Sequence, residues 1–315
     1  MALPSGTATT YAQVGIREEL KDTVYDISPT KTPFLSALAQ VDVENTKFEW
    51  QTHDLNSVDK SGALDGDDAP GNAYTATTLV DNRTHIKTRD ARVSGSGRSV
   101  DTAGRNDDLD TQAMYRAMEI KRDMEGILLD NNAKVAGGVS TARETAGIVS
   151  WLATNTSDGT GGADPTGDGT DAATDGTQRD FTEAMLKAVL VGCWDNGGEP
   201  DCIMVGGFNR QVVSGFSDRG TVEQRAEDAV LRASYSIYES DFGQLKIIPN
   251  RFMRARDALV LQMDMFAVGF LPGRNMLSFD IAKTGDSDAR QVVSEFGLYS
   301  YQEKASGIVR DLTTS

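Results

Sequence analysis

Asp107-Asp108-Leu109-Asp110-Thr111-Gln112-Ala113-Met114-Tyr115-Arg116-Ala117-Met118-Glu119-Ile120-Lys121-Arg122-Asp123-Met124-Glu125-Gly126-Ile127-Leu128 carries the clearest period in the chain. Leu109, Ala113, Ala117, Ile120, Met124 and Leu128 recur at spacings of three and four, which places them on one face of an α-helix. Asp107 is a candidate N-cap, and Asp108 and Asp110 suit the positive end of the helix dipole. Gly137-Gly138 is the next stop signal, so the pattern predicts a helix over 107–136. At 1.5 Å per residue that is a rod of about 45 Å. A helix of this length reads as a structural spine.

Upstream of the spine the period changes to two. Val41, Val43, Phe48 and Trp50 suggest a strand whose parity shifts once, as a bulge would produce. Residues 54–73 are turn formers and acids. A second strand is predicted from Tyr74 to about Val93, with Tyr74, Ala76, Thr78, Val80, Ile86 and Thr88 on one face. Arg83, His85, Lys87 and Arg89 share the other face, about 6.6 Å apart. The expectation is a long two-stranded β-arm with an acidic tip and a basic stripe. An isolated hairpin is marginal in water, so such an arm must lie on something else. Before it, Ile16, Leu20, Val24 and Ile27 predict a helix over 13–27, ended by Ser28-Pro29. Thr32-Pro33 opens a short second helix with Phe34, Leu35 and Leu38 on its apolar side.

Downstream, residues 154–178 are Gly, Thr, Asp, Ser and Pro, and predict a mobile loop. An α/β pattern follows. Asp180 and Glu183 suggest a capping box for a helix to about Asn196. Cys202–Val205 is a short buried strand, and Asn209 caps a helix carrying Val212, Val213 and Phe216. Further strands are predicted near 235–238, 244–249, 258–262, 266–271, 276–282 and 291–301. The fold class is mixed, α+β.

Composition narrows the function classes. The 315 residues carry a net charge of −16, which disfavours dedicated nucleic-acid binding. No apolar run reaches the roughly 18 residues of a membrane span, and the first residues lack a signal peptide's basic and apolar regions. Two cysteines, Cys193 and Cys202, form neither a disulfide framework nor a multi-Cys zinc site, and both read as small core residues. The sequence contains no GxxxxGK[ST], GxGxxG, HExxH or GxSxG segment. Gly95-Ser96-Gly97 reads as a break at the base of the arm. His53 and His85, the two histidines, fall in arm strands and read as surface or interface groups. No catalytic residue, cofactor site or metal site is assigned.

Two Asp/Gly clusters invite a calcium reading, Asp65-Gly66-Asp67-Asp68 and the set Asp158, Asp164, Asp168, Asp171 and Asp175. Neither has the EF-hand spacing or its closing glutamate, and both read as solvated loops. They leave a calcium-dependent extracellular adhesin or tail-associated binding protein as the alternative reading. A hydrolase would need two facing, desolvated carboxylates in a cleft, which sequence does not reveal.

Charge distribution points to self-association. Residues 83–105 hold six basic residues (Arg83, Lys87, Arg89, Arg92, Arg98 and Arg105) against Asp90 and Asp101. The spine carries Asp107, Asp108, Asp110, Glu119, Asp123 and Glu125. A basic arm beside acidic spines of identical copies would fix register through many weak contacts. The expected intersubunit contacts are therefore Arg83, Lys87, Arg89, Arg92, Trp50, Asp107, Asp108, Glu119 and Asp123. The bland alternative is a solvated charged face.

Gln13-Val14-Gly15-Ile16-Arg17-Glu18-Glu19-Leu20 and Ile27-Ser28-Pro29-Thr30-Lys31-Thr32-Pro33-Phe34-Leu35 resemble the N-terminus of major capsid proteins of tailed bacteriophages. Glu295-Phe296-Gly297-Leu298 and Glu303-Lys304-Ala305-Ser306-Gly307-Ile308-Val309 are similar to that family's C-terminal strands. The order of elements resembles the Hong Kong 97 capsid fold. The resemblance implies an N-terminal arm at 1–40 and an extended β-hairpin loop at 41–104. It implies the spine helix and peripheral domain with a flexible loop at 105–178, an axial domain at 179–285, and returning peripheral strands at 286–315. It implies hexamers and pentamers of an icosahedral virion shell around double-stranded DNA, assembled in the host cytoplasm. The implied partners are the chain itself, scaffolding, portal and decoration proteins, with no membrane and no sequence-specific DNA contact. Any scaffold is expected to be a separate protein, because the arm begins almost at once. Some members crosslink through a lysine of the extended loop. Lys60 is the single lysine at this tip, and a lone tip lysine reads as solvated.

Overall fold

A computed structural model of the chain describes residues 30–56, 58–62, 64–66, 74–100, 107–216 and 237–315. The predicted helix over 13–27 lies outside the described residues, as do Asp67-Asp68 and Arg105.

The chain enters through α1 (Pro33–Ala37), where proline opens the helix as expected and the Thr32 carbonyl accepts from the Ser36 N–H. Phe34 and Leu38 are buried. β1 (Ala39–Asp42) and β2 (Lys47–Thr52) follow. The predicted bulge between them is instead a change of sheet. Val43–Thr46 turns the chain, Asn45 Oδ1 accepts from Thr46 N, and β1 and β2 pair with different partners.

The predicted continuous strand from Tyr74 to Val93 is also two strands. β3 (Thr78–Arg83) pairs antiparallel with β2 to form the arm's base. β4 (His85–Ser94) leaves the arm and pairs with the body. The break falls at Thr84, whose buried hydroxyl donates to Glu295. Next to it, Asn82 is fully buried; its amide donates to the Leu298 carbonyl and its oxygen accepts from Ala146 N. These two polar anchors bind the chain to the body at the point where the pairing changes.

α2 (Gly95–Ser99) is a single turn, capped by Ser94. The spine, α3 (Asp108–Leu129), begins where predicted: the Asp107 side chain accepts from Leu109 N. Its apolar face is the predicted one, with Leu109, Ala113, Ile120, Met124 and Leu128 buried. It ends seven residues early, at 22 residues and about 33 Å. Asp130, Asn131 and Asn132 stop it, because short polar side chains compete for local backbone groups. Asp130 Oδ1 accepts from Asn131 N, and the Asn132 amide donates to the Thr145 carbonyl. Gly137, at φ +75°, instead makes the turn of a small bridge between Val135 and Glu144.

The segment 154–178 is not free. β5 (Thr156–Ser157) joins a sheet, Ala163 bridges Thr174, and the loop is pinned to the C-terminal tail by groups described below. α4 (Glu183–Asp195) has the predicted extent without the predicted cap, since Thr182 and not Asp180 precedes it and neither caps by side chain. β6 (Cys202–Val205) is buried on both faces, as its unbroken apolar run requires. α5 (Gly207–Phe216) starts two residues before Asn209, whose buried side chain donates to the Ala255 carbonyl. β7 (Ile237–Ser240), β8 (Gly243–Pro249), β9 (Ala258–Leu261), β10 (Phe266–Phe270), β11 (Leu277–Ile281), β12 (Ser287–Ser300) and β13 (Gly307–Val309) complete the chain.

Two sheets build the body. The first has five strands in the order β1-β10-β12-β11, with β4 on the far side of β12. The second has six, in the order β5-β13-β9-β6-β8-β7. β13 thus leaves the sheet of β12 and joins the second. Its pairing with β9 puts Ile308 into one core and Val309 into the other. One core lies between α3, the first sheet and one face of the second, with Phe34, Trp151, Phe266 and Phe296 at full burial. The other lies between the opposite face of the second sheet and α4 and α5. The alternation in β6 places Cys202 and Met204 in the first core, Ile203 and Val205 in the second.

Candidate assembly surface

The basic stripe and the acidic spine meet within one chain. Side chains at 85, 87 and 89 of β4 point toward α3, and the spine supplies counter-charges to Lys87 and Arg89. Arg89 donates to Asp123 at 2.7 and 3.0 Å and stands 3.5 Å from Glu119. Lys87 Nζ lies 3.6 Å from the same Asp123. The hydrogen bond that Arg89 donates to Asp123 makes its guanidinium hold its proton more tightly than usual. The complementarity read from sequence is met within one chain, where the strand bearing these charges packs on its own spine. Arg83 lies 3.9 Å from Asp81. Arg92 is exposed on the opposite face of β4. Asp107 caps α3 and pairs with Arg98 at 2.8 Å, while Asp108 sits in the helix's first turn.

Trp50 packs inward too. Its ring lies 5.4 Å from Trp151 and 5.3 Å from Tyr299, and Phe48 reaches within 4.4 Å of Tyr299. Gly297 on β12 makes room: a Cβ there would meet the Phe48 ring and come within 2.9 Å of the Arg83 carbonyl. The base of the arm is thus riveted to the body by aromatics, and Lys304 and Gln302 hold Asp54.

Beyond Asp54 no such support is found among the described residues of the arm. Leu55, Val58, Leu64 and Tyr74 are 78–89% exposed, four large apolar side chains within twenty residues of sequence. Lys60 lies among them and is exposed, as expected.

Sequence reasoning missed three buried polar hubs, because each joins segments far apart in the chain. Glu125 is one, and accepts from Phe34 N, Leu35 N and the Asn250 amide. Glu295 is another. Burial works against its charge, but Thr84, Arg143 and Arg274 donate to it and hold its carboxyl below the usual range. The third is Arg310, 2% exposed, which engages Asp158 at 2.8 Å and also Asp164. Burial pushes Asp158 up to about 6 against the opposing charge of Arg310, with Asp164 adding to the rise.

Those two aspartates belonged to the calcium reading. A guanidinium engages them instead. Asp175 pairs with Arg254 and Arg256, while Asp168 and Asp171 accept from Thr166 and Thr170. Asp311, at φ +62°, receives Gly159 N, Gly176 N and Arg256, which pins the loop to the tail. Among the described residues no three His, Cys, Asp or Glu groups are placed to hold a metal ion. No helix of the described residues is long and apolar enough to cross a membrane. Cys193 and Cys202 are free and buried, and burial pushes both thiols up to about 12. His85 is half-buried against Phe296, and burial lowers its pKa.

The chain, with its arm, spine and two sheets, matches a known family over nearly its whole length. Residues 3–313 fit the model of the SU10 major capsid protein. The chain belongs to the SU10 major capsid protein family. The major capsid protein of Escherichia phage Phieco32 is 27% identical, covering 95% of each chain. Solved structures agree on the Hong Kong 97-type fold. The cyanophage A-1(L) capsid asymmetric unit matches with a TM-score of 0.67 at 14% identity, covering 97% of this chain and 98% of that one. Gordonia phage Cozz matches at 0.62 and 12%, covering 99% and 98%. Phage G gp27 major capsid proteins, solved with gp26 decoration proteins, match at 0.55 and 11%, covering 99% and 100%. As a major capsid protein, the chain is a structural component of a tailed phage's virion. Nothing in these relatives favours an adhesin.

Proposed function

We propose that copies of this chain assemble into hexamers and pentamers of an icosahedral head that encloses double-stranded DNA. The observation that carries this reading is the arm beyond Asp54. Among the described residues its four large apolar side chains stay 78–89% exposed, and both cores form without them. Apolar surface of this kind gains by burial on a neighbour, at about 25 cal/mol per Å². A two-stranded base locked by aromatics leaves this apolar segment to serve as a contact for the next copy.

The spine and arm charges, paired internally, position the arm rather than joining subunits. Arg92, exposed on the opposite face of β4, is left for contacts between copies. The net charge of −16 supports enclosure of DNA without adhesion to the wall. Scaffolding and portal proteins are the expected helpers, and the decoration proteins on the phage G shell support an accessory layer here. Synthesis and assembly take place in the host cytoplasm. The shell work needs no catalysis.

Negative-stain microscopy of the chain expressed with its scaffold tests the proposal. Closed shells or capsomers are the expected result. Leu64→Asp combined with Tyr74→Ala should abolish them while leaving the subunit's melting temperature within about 1 °C, since exposed substitutions change stability little. Compact monomers from the wild type under all assembly conditions would overturn it.

A further inference from the structure

Among the described residues the outer edge of β11 is open. β11 pairs with β12 on one side, and no other described strand pairs with it. Natural proteins guard such edges with proline, bulges, charge or a covering element, since unpaired N–H and C=O groups template further pairing. β11, Leu277-Ser278-Phe279-Asp280-Ile281, has neither proline nor glycine, and its one charge is Asp280. Arg290 on β12 already neutralises that charge at 2.8 Å. Leu277 and Phe279, 40% and 43% exposed, share the sheet face turned away from α3. Ile86 of β4 lies on the same face and is also exposed.

We propose that β11 pairs antiparallel with β11 of a second copy of this chain, across a twofold axis that passes beside Phe279. This rests on the shell reading above and names one of the contacts that joins copies. The strand is self-complementary about its midpoint. With Phe279 opposite itself, Leu277 meets Ile281 and Ser278 meets Asp280. Beyond the strand Met276 meets Ala282, and Asn275 meets Lys283. No like charges face one another. The serine hydroxyl gives Asp280 a donor, and aromatic and aliphatic pairs fill the outer face. Shifting the axis to Asp280 would set two carboxylates face to face. Shifting it to Ser278 would set Asp280 against Met276 and leave Ile281 without an apolar partner.

The handedness of the contact suits a shell. A twofold axis normal to the sheet makes an isologous interface and keeps both α3 helices on the same side. The two five-stranded sheets then run on as one, with a common inner and a common outer face. A wall with an inside and an outside requires that relation between neighbours.

Cysteine crosslinking in assembled shells tests the pairing. Directly opposed Cα atoms in an antiparallel pair lie about 4.5–5.5 Å apart, within disulfide reach, whereas diagonal neighbours at about 7–8 Å lie outside it. Cys193 and Cys202 are buried and give little background. Phe279→Cys should therefore yield covalent dimers on mild oxidation with diamide. Ser278→Cys and Asp280→Cys alone should stay monomeric. The double variant Ser278→Cys/Asp280→Cys should dimerise while retaining Phe279. Phe279→Asp should cut shell yield at least tenfold with an unchanged subunit melting temperature. Shells that form without these dimers, equal dimer yield from the single variants, or crosslinks to an accessory protein would each overturn the pairing and leave the shell reading standing. A wild type that forms no shells overturns both.

Discussion

The Glu125 carboxylate receives the backbone N–H of Phe34 at 2.8 Å, across 91 residues of sequence. Its second oxygen takes the N–H of Leu35 at 2.7 Å, and Asn250 donates to the first at 2.6 Å. The middle of the spine thereby holds the first turn of α1, which inserts Phe34 into the core at full burial. A buried anion is tolerated here because three donors replace its water.

Removing that acceptor strands three donors. Glu125→Ala is expected to destabilise the subunit by about 2–4 kcal/mol and to expose residues around Phe34 to protease. Glu125→Gln keeps one carbonyl acceptor and should cost less. Urea unfolding and limited proteolysis read both effects. Equal stability of the alanine variant and wild type would rule out the anchor.

Asp257 makes the stability depend on pH in an unusual direction. It is buried, and burial pushes its carboxyl up to about 7 despite Arg254 at 3.2 Å. The folded state then binds a proton that the unfolded state, near 4, has already released. Between about pH 4 and 7 this group's contribution falls as pH rises. Asp158, at about 6, and Glu125, also raised chiefly by burial, act in the same sense. Asp257→Asn removes the dependence. Relative to wild type it should gain on the order of 3 kcal/mol between pH 4.5 and 7.5 in urea melts. A constant difference across that range would refute the assignment.

Arg310 stands where a cation was once a candidate. Arg310→Met leaves Asp158 and Asp164 facing each other and should cost about 3–5 kcal/mol, part of it recovered by adding Asp158→Asn. Arg310→Lys should not rescue, since an ammonium lacks the planar fork that reaches both carboxylates. Millimolar calcium should leave the wild-type melting temperature unchanged. A clear rise on adding calcium would contradict the filled-site geometry.

Arg89 and Asp123 should couple in the isolated subunit. A double-mutant cycle with Arg89→Ala and Asp123→Ala is expected to give about 0.2–1 kcal/mol, modest because Arg89 is partly exposed. Coupling that appears only on assembly would return these residues to the interface between copies.

Much of the scaffold was legible as periodicity. The spine's apolar stripe, its Asp107 cap and the strands of 244–300 follow from spacing that local geometry enforces. The errors share one cause. Val41 to Trp50 and Tyr74 to Val93 each read as one strand because alternation persists through a change of sheet. Only Asn82, Thr84 and their distant partners reveal the break. The loop 154–178 read as free because its composition is that of loops. Its order comes from Arg310, Arg256 and Asp311, more than a hundred residues away in the case of Arg310 and Asp311.

The sequence by itself determined the elements, the charge complementarity of strand and spine, and the presence of an arm too exposed to stand alone. Tertiary structure alone decided which partner each charge and strand edge takes. Periodicity is a property of neighbours three or four residues apart, whereas burial of Glu125, Glu295 and Arg310 depends on segments that only folding brings together. That is why Arg89 meets Asp123 in its own chain, and why β11, with the same alternating pattern as its neighbours, keeps one edge open among the described residues.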